Sequence, residues 1–184
     1  MAVNFRNIGM YGAVGVLVAA LIIAGVMFSG LRLPTFSPNT GTLVIKLTDA
    51  PVDLEHLNIT IDSVLVQRVE NDTETWENLT FVGGVSEVYF DLLALRNVTM
   101  DLSITEIPSG NYTMIKMHIK TANATYVGGG NVTLTVPSEY IRVIVHFEVK
   151  RGEETTVLID MVPDWVAISK SNRLRPVLKA TVIS

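Results

Sequence analysis

The chain opens on an uninterrupted apolar run and then changes period. No residue from Ile8 to Phe28 is charged, and these 21 residues as a helix would span about 31 Å, roughly the hydrocarbon thickness of a bilayer. Leu33 to Gly41 is rich in Pro, Ser and Asn and reads as an extended spacer. Beyond it, apolar residues recur at every second position. In Ile141–Val149 the odd positions are all apolar, while Arg142, His146 and Glu148 share the opposite face with one exception, Ile144. In Ile115–Thr121 the outward positions are Lys116, His118 and Lys120. Alternation of this kind predicts half-buried antiparallel strands.

Similar runs occupy Thr42–Thr48, Asn58–Val69, Glu87–Phe90, Asn131–Val136, Thr155–Asp160, Trp165–Ser169 and Leu174–Ile183. The apolar phase slips near Asp62-Ser63, which predicts a β-bulge there. Turn signals separate the runs at Gly83-Gly84, Pro108–Asn111, Gly128–Gly130 and Arg151-Gly152, and a single helical turn fits Asp91–Arg96. The fold expected is mainly β: an antiparallel β-sandwich, immunoglobulin-like or transthyretin-like, preceded by one N-terminal hydrophobic α-helix. The organisation expected is a helix over 1–32, a linker over 33–41 and an extracellular β-sandwich over 42–184. Ile115, Met117, Ile119, Val143, Val145 and Phe147 should share one core, with Lys116, His118, His146 and Glu148 exposed, since a one-residue slip inverts every side chain.

A cleaved signal peptide is the alternative reading of the first segment. Its apolar region normally runs about 7–15 residues and ends in a small-x-small site. This run is longer, and Phe28-Ser29-Gly30 fits such a site poorly, which favours a retained helix. Small residues four apart, at Gly9/Ala13, Gly15/Ala19, Ala20/Ala24 and Gly25/Ser29, suit close packing of one helix on another. They are also common in any membrane helix.

Composition narrows the function classes. Mean hydropathy is +0.39 and hydrophobic residues make up 48%, an excess concentrated in the first segment. Cysteine is absent, so disulfides, thiolate zinc sites and thiol catalysis are excluded. From Leu33 onward 12 Lys and Arg face 18 Asp and Glu, a balance that argues against nucleic acid and anionic lipid surfaces as partners.

Asn-x-Thr is the most informative motif. It occurs at Asn58, Asn71, Asn78, Asn97, Asn111, Asn123 and Asn131, seven of the eleven asparagines, where 28 Ser and Thr in 184 residues predict fewer than two matches. This triplet is the acceptor for N-linked glycans, which must sit on a surface outside the cell. Strand phase puts Asn58, Asn78, Asn97 and Asn131 opposite inward apolar neighbours, so these four project outward. At least four of the seven are expected to be exposed.

The β region also carries a resemblance. Gly41-Thr-Leu-Val-Ile-Lys-Leu-Thr-Asp-Ala-Pro51 resembles the opening strand of an uncharacterised prokaryotic family, the domain of unknown function numbered forty-three eighty-two. Phe90–Leu93, Ile107–Tyr112, Val136–Ser138, Leu158–Asp160 and Arg175–Lys179 are similar to later features of that family, so the likeness runs from about Gly41 to Val182. It implies a β-sandwich on secreted or anchored surface proteins and no defined activity. Bacterial members often carry a lipoprotein cysteine, which this chain lacks.

No enzyme signature emerges. His56, His118 and His146 are the only histidines and have no spaced ligand partner; His118 and His146 fall on outward strand faces. Asp49 before Pro51 is expected to cap a turn, with a weaker alternative in which it joins Asp91 or Asp160 around calcium. Tyr112, Trp76 and Trp165 read as core or rim aromatics rather than a sugar platform. The chain is therefore expected to be a non-catalytic, cofactor-free cell-surface glycoprotein, with membrane and N-linked glycans as partners and no nucleic acid. Two classes stay open. In one it is a filament or lattice subunit that associates with itself through the N-terminal helix. This layout looks like archaeal type IV pilins, although Arg6-Asn-Ile-Gly9 lacks their usual basic residue before the processing glycine. In the other it is a solitary anchored binding or adhesion module.

Overall fold

The computed structural model describes residues 39–49, 53–71, 73–138 and 140–183. Among the described residues ten strands run in order: β1 (Thr40–Asp49), β2 (His56–Glu70), β3 (Thr73–Asn78), β4 (Val88–Asp91), β5 (Met100–Pro108), β6 (Gly110–Thr125), β7 (Asn131–Thr133), β8 (Ile141–Val149), β9 (Glu154–Val162) and β10 (Val177–Val182). They form two sheets. Sheet A has the order β10-β9-β1-β5; sheet B has β3-β2-β6-β7, with β4 also on β2 and β8 also on β6. The chain is thus mainly β, as its period of two predicts. One pairing departs from the antiparallel expectation: β1 runs parallel to β9, from Thr42↔Glu154 to Asp49↔Met161. Periodicity reports which face a residue occupies and carries no information about strand direction.

The inward residues of both sheets meet in one apolar cluster. Leu43, Ile45 and Leu47 of β1 join Ile59, Ile61, Val64 and Val66 of β2 and Val157, Ile159 and Met161 of β9. Ile115, Met117, Ile119, Val143, Val145 and Phe147 are all buried there, in the expected phase. On the opposite faces His146 and Glu148 are exposed, whereas Lys116 and His118 are half-covered by their neighbours. The slip at Asp62 is a register shift between Ile61 and Ser63 against β6.

Three elements differ from the sequence pattern. Trp165–Ser169, expected as a strand, belongs to a short helix, α1 (Trp165–Ser171). Asp164 follows Pro163 and accepts the Ala167 N–H at 3.2 Å, an N-cap that competes with extended backbone. The strands β3 and β5 were not legible. In β5 the alternation is broken, because Ser103 is fully buried and Ile104 points out, 49% exposed. Ser103 tolerates the interior because its hydroxyl donates to the Thr80 carbonyl at 2.8 Å. The helical turn at Asp91–Arg96 is present as a 3-10 turn, Leu92–Leu95, capped by the Asp91 side chain on the Leu93 N–H.

Ile8–Phe28, with its small residues Gly15, Ala19, Ala20, Ala24, Gly25 and Ser29, lies outside the described residues. Among the described residues no helix is long and apolar enough to cross a membrane.

Candidate functional site

The sequons gather on one sheet. Asn58 is on β2, Asn78 ends β3, Asn111 and Asn123 are on β6, Asn131 begins β7, and Asn71 occupies the turn between β2 and β3. Asn97 lies in the loop before β5. No strand of sheet A carries one. Six of the seven asparagines are exposed, and Asn58 is half-buried.

Three sequons form a cluster on the outer face of sheet B. Asn58 is paired across the strands with Asn123, and Asn123 with Thr133. The Thr133 hydroxyl donates to Asn123 Oδ1 at 2.9 Å, and the Thr125 hydroxyl donates to Asn131 Oδ1 at 2.9 Å. Thr125 and Thr133 therefore each bind the asparagine of the other's sequon. The amide oxygen is occupied in both bonds, which leaves the amide nitrogen, the atom to which an N-linked glycan would attach, directed away from them. Residues paired across strands stand about 5 Å apart, so glycans on both Asn58 and Asn123 would crowd each other.

The backbone gives two of the asparagines a second role. Asn71 and Asn97 have φ of 48° and 60°, the left-handed region that Asn enters more readily than most residues. Their presence therefore has a conformational cause. The other five have no such backbone reason.

Charged pairs share this face. His56 Nδ1 lies 2.7 Å from Asp91 Oδ2. That hydrogen bond raises the His56 pKa above its ordinary 6.5, against a smaller opposing effect of desolvation. Burial pushes the Asp91 carboxyl up, but hydrogen bonds from His56 and from the Leu57 and Leu93 N–H groups outweigh it, and the net shift is down. His118 pairs with Asp62 and packs against Tyr140. Lys120 pairs with Glu87, which raises the ammonium pKa. These are exposed or half-exposed pairs of small energetic weight.

The aromatic residues divide by position. Tyr112 is core: its ring stacks on Phe147 at 5.3 Å and its hydroxyl donates to the Pro108 carbonyl at 2.6 Å. Burial drives its pKa up to about 12, with the nearby Glu77 adding to the effect. Trp76 is at the rim with the Lys116 ammonium 3.9 Å over its ring, and Trp165 meets Tyr126 edge-on. Among the described residues no three His, Asp or Glu side chains come together as metal ligands. Asp91 pairs with Asn58 in sheet B, whereas Asp160 lies in sheet A between Thr48 and Lys179, so the two are not assembled around one cation. Asp49 ends β1 with its side chain buried.

Sequence reasoning missed Tyr140 and Arg175, which line one surface groove with Arg142, and the opposition of Lys116 to Arg142 across β6 and β8. Alternation places Lys116 and Arg142 outward, but the register that sets them face to face appears only when the strands pair.

Fold and surface together define a two-sheet β protein with one sheet face dense in Asn-x-Thr triplets. The chain belongs to the family of the domain of unknown function DUF4382, whose model matches residues 40–170. The match includes the Leu-Thr-Asp-Ala-Pro opening; Arg175–Lys179, which sequence likeness assigned to the closing strand, falls beyond it. No curated protein and no solved structure matches the chain.

Proposed function

We propose that this protein is a non-catalytic cell-surface glycoprotein, a structural subunit of an extracellular filament or surface assembly with its N-terminal apolar helix in the assembly core. The observation that carries the reading is the segregation of the sequons: six lie on strands or a turn of sheet B and none on a strand of sheet A. Scattered asparagines have no reason to avoid one sheet. Acceptor sites do, if one face must stay clear for protein contact and the other carries sugar. In this reading residues 1–32 are the assembly segment, 33–41 the linker and 42–184 the outer domain.

The fold within this reading is a β-sandwich of the immunoglobulin-like kind. The Tyr112 hydroxyl bonding back to Pro108, four residues upstream at the start of β6, is the arrangement known as a tyrosine corner. The alternative function, a solitary anchored binding module, is favoured by one observation, the cationic groove described below.

Site-resolved mass spectrometry of native protein tests the proposal. The intact mass should exceed the 20.1 kDa of the polypeptide, with sugar on Asn78, Asn111 and one member of the Asn58/Asn123 pair. Native protein at the bare polypeptide mass would remove the basis for the reading.

A further inference from the structure

A groove of about 510 Å³ opens between the β7–β8 connection and the segment that leads into β10. Its lining includes Ser138, Tyr140, Arg142, Arg175 and two prolines, Pro137 and Pro176. The two walls are tied together: the Thr135 N–H donates to the Asn172 carbonyl at 2.8 Å, and the Leu174 N–H donates to the Thr135 carbonyl at 3.0 Å. Leu174 is fully buried and pins the second wall to the core. The groove is therefore held by backbone rather than by mobile side chains.

Its charge runs against that of the domain. Lys116 and Arg142 are directly opposite across β6 and β8, and like charges in that position destabilise a sheet. Among the described residues neither of them, nor Arg175, makes an ion pair, although the domain has an excess of carboxylates. Lys116 is instead held over Trp76 at 3.9 Å and Tyr140 at 4.9 Å. Tyr140 is also braced by His118, ring to ring at 5.4 Å. Cations without a carboxylate partner among the described residues, set around a fixed aromatic, are what an anionic ligand requires.

The walls exclude one kind of ligand. A peptide added by strand pairing needs free backbone donors and acceptors in a row. Here the Thr135 and Leu174 N–H groups are already used, and Pro137 and Pro176 have no N–H to give. What remains is side-chain recognition: two guanidinium groups whose planar fork matches a carboxylate, a serine hydroxyl and a tyrosine ring. That set suits a sugar ring bearing an acid.

We propose that this groove binds a carboxylated saccharide, with Arg142 and Arg175 on the carboxylate and Tyr140 and Ser138 on the ring. The inference stands independently of the glycosylation of the chain itself. Isothermal titration of the full-length protein with trigalacturonate should give saturable binding that weakens with salt, while neutral galactotriose should give none. Arg142→Gln and Arg175→Gln should each weaken binding by about tenfold or more, the loss expected for one charge-assisted hydrogen-bonded contact. Both arginines are exposed, so the thermal midpoint should be unchanged; Arg142→Lys, which keeps the charge without the fork, should recover only part of the affinity. Equal binding of the neutral trisaccharide, equal binding of a poly-glutamate peptide, unaltered affinity in the double arginine variant, or no heat at millimolar trigalacturonate would each overturn the assignment.

Discussion

Sheets A and B feed the same core but meet solvent differently. The outer face of sheet B carries sequon asparagines, ion pairs and the cationic groove rim, with Ile144, Tyr89 and Trp76 as exposed apolar or aromatic residues. Sheet A offers no sequon on any strand. Across its middle Ile104 of β5 is paired with Val44 of β1, Val44 with Thr156 of β9, and the Ile183 N–H donates to the Thr156 carbonyl at 2.9 Å; Val44 and Thr156 in this row are buried. Ile104 and Ile183 are 49% and 44% exposed. The polar groups beside this row are largely satisfied within the sheet, Lys46 by Asp101 and Thr40 by Glu106. The difference teaches that one core can support two unlike surfaces, because a pleated strand commits only alternate residues to packing.

The strongest way to break this comparison is to put a glycan on the bare face. Lys46→Asn creates an acceptor triplet with Leu47 and Thr48 on the outward side of β1. If sheet A is the protein-facing surface, this variant should fold and be glycosylated yet form no polymers under the electron microscope, while Asn78→Gln polymerises normally. Polymers from a glycosylated Lys46→Asn protein would show that sheet A is not the contact face.

Stability measurements sharpen the same contrast. Leu43→Ala and Ile59→Ala, both fully buried and one in each sheet, should each cost about 2–5 kcal/mol in denaturant unfolding. Ile104→Ala and Ile144→Ala should cost less than about 0.5 kcal/mol. A core-sized loss from Ile104→Ala would mean that the outer face of sheet A is covered rather than presented.

The smallest effect is electrostatic and belongs to sheet B. His56 has a raised pKa, so its interaction with Asp91 is fully present below pH 6.5 and is lost as pH rises through the raised value. The Asp91 carboxyl is shifted below 3.8, so its contribution is present above that pH and is lost as pH falls through the lowered value. The pair is thus ionic between the two. In an NMR titration His56 should show an apparent pKa above 6.5 that falls back in Asp91→Asn. An unchanged midpoint in that variant would rule out the contact.

Much of this was legible in the residues. Alternation identified the buried faces of β6 and β8 residue by residue, because hydrophobic burial is a local requirement at each position. The seven sequons were legible because their triplet is local too. β5 escaped because Ser103 faces inward on a bond to Thr80, a residue 23 positions away, and α1 escaped because a cap outweighed a short apolar run. Gly41 shows the limit most plainly. The opening motif marks it as a glycine but gives no cause. In the fold a Cβ there would fall against the Lys150 carbonyl oxygen and crowd Val149 and Glu153, because the β8–β9 turn crosses β1 at that point.

The sequence by itself determined the mainly β class of fold, the inward residues of β6 and β8, the Asn-x-Thr triplets and the family, since each is written in short-range pattern. Tertiary structure alone decided which residues became neighbours. It set β1 parallel to β9, gathered Asn58, Asn123 and Asn131 into one cluster, faced Lys116 with Arg142, and brought Arg175 to the same groove. Those choices depend on strand order and register, and the free energy that selects them comes from burying the two sheets against each other as a whole.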